Sequence, residues 1–103
     1  MSEYPIDRAA KPRVLHLTLK KKWFDMIADG IKDEEYREIK DYWVNRLENK
    51  GYDVIQFKNG YSKDARKMTV ELKGLSVGFG FPEWGAPLYK AVFKLKLGAI
   101  LDD

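Results

Sequence analysis

Residues 30–37 read Gly-Ile-Lys-Asp-Glu-Glu-Tyr-Arg, and the fold turns on them. Just ahead, Trp23, Phe24, Ile27 and Ala28 fall together at helical spacing within residues 21–29, and Gly30 is placed to stop that helix. Just beyond, residues 35–39 read as a strand. Alternation there sets Glu35 and Arg37 on one face, an acceptor beside a fixed cation. Lys32, past the helix end, leans toward the same point.

Working outward, residues 14–19 alternate Leu15, Leu17 and Leu19 with His16 and Thr18, a strand with one buried face. Asp41 is a cap for a second helix in which Trp43, Val44 and Leu47 share a face, ending before Gly51. Residues 53–58 form a short strand, and Asn59-Gly60 is a strong turn signal. Residues 61–66 are a polar loop. Met68, Val70 and Leu72 alternate with Thr69, Glu71 and Lys73 as the next strand. Gly74, Gly78, Gly80, Pro82, Gly85 and Pro87 then punctuate a long aromatic loop, and Phe93, Leu95 and Leu97 alternate with Lys94 and Lys96 in the last strand. Two early helices embedded among strands predict an α+β fold. The chain of 103 residues is expected to form one domain over residues 14–103, preceded by an extended arm over residues 1–13 that carries two prolines.

The Gly-x-Lys-x-x-Glu-x-Arg pattern of residues 30–37 resembles the signature of the ASCH domain, a small β-barrel family related to the PUA fold. The resemblance extends to Leu17-Thr-Leu-Lys20, to Trp23 and Ile27 in the helix, and to Phe93-Lys-Leu95, and so spans most of residues 14–100. It implies a barrel of about five to six strands with two helices packed at its side. It also implies an association with RNA and modified nucleosides, with Lys32, Glu35 and Arg37 lining a ligand cleft and a loop beside it acting as a lid that brings Trp84 and Glu83 near. One subgroup of ASCH proteins hydrolyses N4-acetylcytidine with a threonine nucleophile where Glu35 stands here. A carboxylate cannot serve as that hydroxyl, and Thr18 and Ser62 are the hydroxyls that could approach from elsewhere. Other ASCH proteins are ribonucleases.

The residues themselves point to anion recognition. Arg37 offers a planar fork suited to phosphate or carboxylate, Lys32 a point charge, and Glu35 an acceptor for a base amine or a clamp for the two cations. In an enzyme acting on modified nucleosides or single-stranded RNA, Lys32 and Glu35 would be the acid–base pair, with the lysine's pKa strongly lowered. A salt-bridged surface gives the same pattern, worth roughly 0–1 kcal/mol per pair. Lys58, Tyr61, Lys63 and Arg66 form a second constellation on the turn, an electrostatic clamp with a ring for stacking, or else a solvated hairpin. Phe79, Phe81 and Trp84 form a third. Trp84 is a candidate ligand contact, and the alternatives are that these rings seal a barrel mouth or meet a protein partner. His16, the one histidine, is expected to be packed or hydrogen-bonded.

Composition bounds these readings. Apolar residues make up 45% and aromatics 14%, enough for a core without staples. There is no cysteine, which removes disulfides, thiolate metal sites and cysteine nucleophiles and fits a reducing cytoplasm. No metal or cofactor is implied. No apolar run approaches the ~20 residues of a membrane span, and the first residues lack the apolar core of a secretory signal; a cytoplasmic protein is expected, with RNA or a nucleotide or nucleoside as partner. The net charge is +3, and residues 54–100 hold eight Lys or Arg against Asp64, Glu71 and Glu83. That local excess would attract polyanions.

Overall fold

The structure, a computed structural model, describes residues 11–102. Its strands are β1 (Val14–Leu19), β2 (Glu34–Arg37), β3 (Val54–Asn59), β4 (Lys67–Gly78) and β5 (Val92–Asp102). Helix α1 (Lys21–Ala28) lies between β1 and β2, and α2 (Asp41–Leu47) between β2 and β3. A single 3₁₀ turn, Pro82–Trp84, sits in the β4–β5 connection. Of the expected arm, residues 1–10 lie outside the described residues, as does Asp103; residues 11–13 are exposed and in no regular element.

The alternating apolar positions become the inner face of one five-stranded sheet, ordered β1-β3-β4-β5-β2. β1 pairs with β3 in parallel, and the other pairs are antiparallel. Leu15, Leu17 and Leu19 meet Ile55 and Phe57, then Met68 and Val70, then Phe93, Leu95 and Leu97. Phe24 and Ile27 of α1 and Leu47 of α2 close the same core. The result is an α+β architecture with two helices and a sheet so curled that Arg37 on β2 reaches the Thr18 carbonyl on β1, although these strands stand at opposite ends of the sheet.

Several boundaries differ from the sequence reading. Asp41 is the first helical residue of α2 rather than its cap, and Lys40 precedes it in extended backbone. An acid in the first turn still favours the helix dipole. The helix ends at Leu47, where the Tyr52 hydroxyl donates to the Arg46 carbonyl at 2.9 Å. β4 does not stop at Lys73 but continues through Gly74 to Gly78. Its antiparallel partner β5 absorbs register shifts between Thr69 and Gly74 and then pairs regularly from Gly74↔Lys96 to Gly78↔Val92. Glycine in a strand commonly marks such bulges, which is why it reads as a loop signal in one dimension. His16 is exposed rather than packed.

The end of α1 decides where the signature goes. Ile31 N–H donates to the Met26 carbonyl at 2.9 Å and Gly30 N–H to the Ile27 carbonyl at 3.0 Å, the paired bonds of a Schellman turn with Gly30 at φ +77°. Lys32 N–H also donates to Met26, at 3.1 Å, which turns the chain so that the Lys32 side chain enters the interior. A Cβ at Gly30 would meet nothing within 4 Å, so the demand for glycine there is purely conformational. Gly30→Ala is therefore expected to lower the unfolding free energy by about 1–2 kcal/mol, the cost of an L-residue in the left-handed region. Gly74→Ala, also in open space but without a positive φ, is expected to be neutral or mildly stabilising. Urea melts of the two variants compare them directly.

Candidate functional site

Glu35 lies between two cations. Its Oε1 is 3.2 Å from Lys32 Nζ and its Oε2 is 2.7 Å from Arg37 Nη2. The Lys32 side chain is 0% exposed, that of Glu35 8% and that of Arg37 18%, so this is a buried charge chain rather than a surface pair. Lys32 Nζ also donates to the Glu34 carbonyl and, at 3.0 Å, to the Trp84 carbonyl, and it sits 4.7 Å from the Tyr36 ring centroid. Burial pushes the Lys32 ammonium below its usual 10.5, with the Glu35 carboxylate opposing. Arg37 Nη2 reaches the Thr18 carbonyl at 3.4 Å, and its guanidinium lies 5.0 Å from the Trp43 ring. Its Nε is buried without a hydrogen-bond partner.

Arg46 repeats the pattern one step along, donating to the His16 carbonyl at 3.2 Å, with its guanidinium 5.7 Å from the Trp43 ring centroid. Carbonyls two residues apart on β1 are thus both taken by arginines, which blunts an otherwise open strand edge.

Above Glu35 and Arg37 the seam between β1 and β2 opens as a cleft of about 410 Å³. Thr18 and Leu19 form one wall, Tyr36 the other, Lys20 and Trp23 the α1 end, and Gly60 with Tyr61 the hairpin lip. Trp84 and Gly85 complete it from the β4–β5 connection. Two glycines let that connection come close. Gly85, at φ +102°, would set a Cβ 3.1 Å from the Trp23 ring, and Gly80 would set one 2.5 Å from the Tyr36 ring. The Tyr36 hydroxyl donates to Glu34 Oε1 at 2.8 Å and accepts from Phe81 N–H at 3.0 Å. Phe81 in turn meets Trp84 edge-on at 4.8 Å.

Of the residues singled out from sequence, Glu35, Arg37, Tyr61 and Trp84 line this cleft, while Lys32 lies sealed beneath it. Lys63 and Arg66 stand exposed on the hairpin, with the Arg66 guanidinium 5.3 Å from the Phe24 ring. Lys58 is not at the cleft but on the outer face of β3, beside His16. Glu83 and Ser62 are exposed and line no part of the cleft. Phe79 and Phe81 are 66% and 49% exposed, so they do not seal a barrel mouth. The sequence reading missed Lys20, Gly60 and Gly85 as wall residues; the turn signal at Gly60 fixed a bend without saying what it faced. Among the described residues no group of three or more His, Cys, Asp or Glu could hold a metal ion, and no helix is long and apolar enough to cross a membrane. No protein-family model matches the chain, and no curated protein does.

Two outcomes are expected from this geometry. Lys32→Met leaves Glu35 with Arg37 as its remaining cation and takes the donor from the Glu34 and Trp84 carbonyls, and should cost about 1–3 kcal/mol in a urea melt, whereas Lys21→Ala, which breaks an exposed pair with Asp25, should cost about 0.5 kcal/mol or less. Equal losses would show that the buried chain carries no special share of stability. Tyr36 supplies the second. Burial, with the Glu34 carboxylate beside it, pushes its phenol up from 10.0. The folded state then keeps a proton that the unfolded chain gives up. Stability from this group is full below pH 10.0 and is lost as pH rises above it. Tyr36→Phe should flatten that alkaline decline in a series of melts.

Proposed function

We propose that this chain is an ASCH-like, PUA-related module that binds RNA or a nucleotide, with one base entering the cleft over Glu35 and Arg37. The observation that supports this best is a cleft walled by Trp23, Tyr36, Tyr61 and Trp84 whose buried charges, two cations and one carboxylate, leave one positive charge in excess. Rings stack on any base with little regard to its sequence, and a fixed guanidinium complements the anionic part of a nucleotide. Tyr61, 88% exposed at the lip, is free to swing onto a base. Lys63 and Arg66 on the same hairpin extend the cationic surface along which a strand could lie.

Binding accounts for Lys32 better than catalysis does. An ammonium has three N–H donors, and Lys32 directs them at the Glu34 carbonyl, the Trp84 carbonyl and Glu35. No lone pair and no spare proton remain for a substrate. Glu35 likewise has both oxygens engaged. The second reading, a small hydrolase acting on acylated nucleosides or single-stranded RNA, has one observation in its favour: the Thr18 hydroxyl belongs to a residue of the cleft wall.

A fluorescence titration with single-stranded RNA separates these. Binding is expected to weaken as salt rises, and Tyr61→Ala, which removes an exposed ring without disturbing the core, should cost about 1–3 kcal/mol of affinity. Absence of affinity for RNA, DNA and mononucleotides at low salt would overturn the proposal. Turnover of an acylated nucleoside that disappears in Thr18→Val would establish the hydrolase instead.

A further inference from the structure

Some lysines of the sheet have an acidic partner and others do not. On the β2–β5 flank, Lys90 lies 3.1 Å and Lys40 3.5 Å from Glu38, and Lys94 lies 3.9 Å from Glu34. On the β3–β4 flank, Lys58 and Lys67 stand directly opposite each other in the antiparallel register. The next pair inward, Phe57 and Met68, is 0% exposed, so both lysines point to the outer face. No described carboxylate lies within ion-pair distance of either. Like charges set opposite each other on a sheet are destabilising.

This pair does not stand alone. A shallow depression of about 250 Å³ joins it to His16, Thr18 and Gln56 on the same outer face. No carboxylate borders that depression. Asp102, which faces Thr69 on the neighbouring row, accepts from Thr69 N–H at 3.0 Å. Thr18 borders both the depression and the cleft. A path therefore runs from the cleft over one residue of β1 to two cations without acidic partners.

We propose that the Thr18–Lys58–Lys67 row is a phosphodiester track: a single strand with a base in the cleft crosses β1 at Thr18 and seats its next phosphates at Lys58 and Lys67. The track rests on the cleft being a nucleic-acid site, and it assigns the strand a direction across the outer sheet face that the hairpin residues alone do not. A phosphate held by both lysines turns their mutual repulsion into two charge-assisted contacts.

The test compares a labelled mononucleotide with a single-stranded RNA of about eight nucleotides, within the usual site size of such proteins, over a salt series. Wild-type protein is expected to bind the longer ligand more tightly and with the steeper salt dependence. In Lys58→Gln/Lys67→Gln the ratio of the two affinities should fall at least about tenfold, and the log–log salt slope for the RNA by about 0.7 for each lysine removed. Each single variant should show about half the slope change. The melting temperature of the double variant should equal or exceed that of wild type, because a repulsion has gone; a lowered one accompanying the affinity loss would mark a structural role and overturn the track. An unchanged affinity ratio and slope would overturn the track and leave the cleft intact as a site. If neither ligand binds, both proposals fall together.

Discussion

The carboxylate of Glu35, held between Lys32 and Arg37, is the constraint on which the rest of this structure depends. Each partner belongs to a different piece of chain. Lys32 arrives from the Schellman turn after α1 and is bonded to the connection that carries Trp84. Arg37 reaches across to β1. One buried acid thus ties the end of a helix, the edge strand β2, the edge strand β1 and the β4–β5 connection into one arrangement. Taking three charges out of water is unfavourable unless each is paired and its remaining donors are met. Lys32 and Glu35 satisfy that condition in full. Arg37 does not, since its Nε is buried without a partner, an omission of about 1–3 kcal/mol in the general case. A fold indifferent to what happens at this seam would have filled it with leucine.

The seam explains the second row of arginine contacts. A five-stranded sheet that curls without closing leaves two edges facing each other, and β1 presents bare carbonyls there. Arg37 and Arg46 occupy those of Thr18 and His16, with Trp43 beside both guanidiniums. Closing the gap with side chains rather than backbone bonds leaves space between the edges, and that space is the cleft. Its outer wall is set by the Gly80 and Gly85 approaches to Tyr36 and Trp23. Neither contact tolerates a Cβ without movement, so the shape of the cleft and the path of the β4–β5 connection are fixed together.

Much of this was legible in one dimension because the signals were local. Period-two alternation located β1, β3 and the inner face of β5, and Gly30 stopped α1 where the backbone needs a positive φ. Glu35 and Arg37 were placed on one face by parity alone. One failure depended on a partner distant in sequence. Gly74 and Gly78 read as loop because a strand's tolerance of glycine is decided by the strand beside it, here β5. Lys32 read as a cleft residue through the family resemblance, and lysine is almost never fully buried; its depth follows from the second bond to the Met26 carbonyl, which no propensity encodes. Lys58 was grouped with the hairpin it precedes. Yet parity with the buried Phe57 would have set it on the outer face.

That last point changes how the charge of the second half of the chain should be understood. Counted along the sequence, its excess of Lys and Arg is a uniform basic field. Placed in space it divides. On the β2–β5 flank Lys40 and Lys90 pair with Glu38 and Lys94 with Glu34, and Lys32 pairs inside. Lys58 and Lys67, with no described acid at ion-pair distance, face each other on the outer face of β3 and β4, beside Thr18, which also borders the cleft. Solvation alone does not favour two like charges set opposite each other, since interspersed signs keep a surface soluble with less self-repulsion. Two facing cations beside a ring-lined cleft instead make a local positive patch, a field that attracts polyanions.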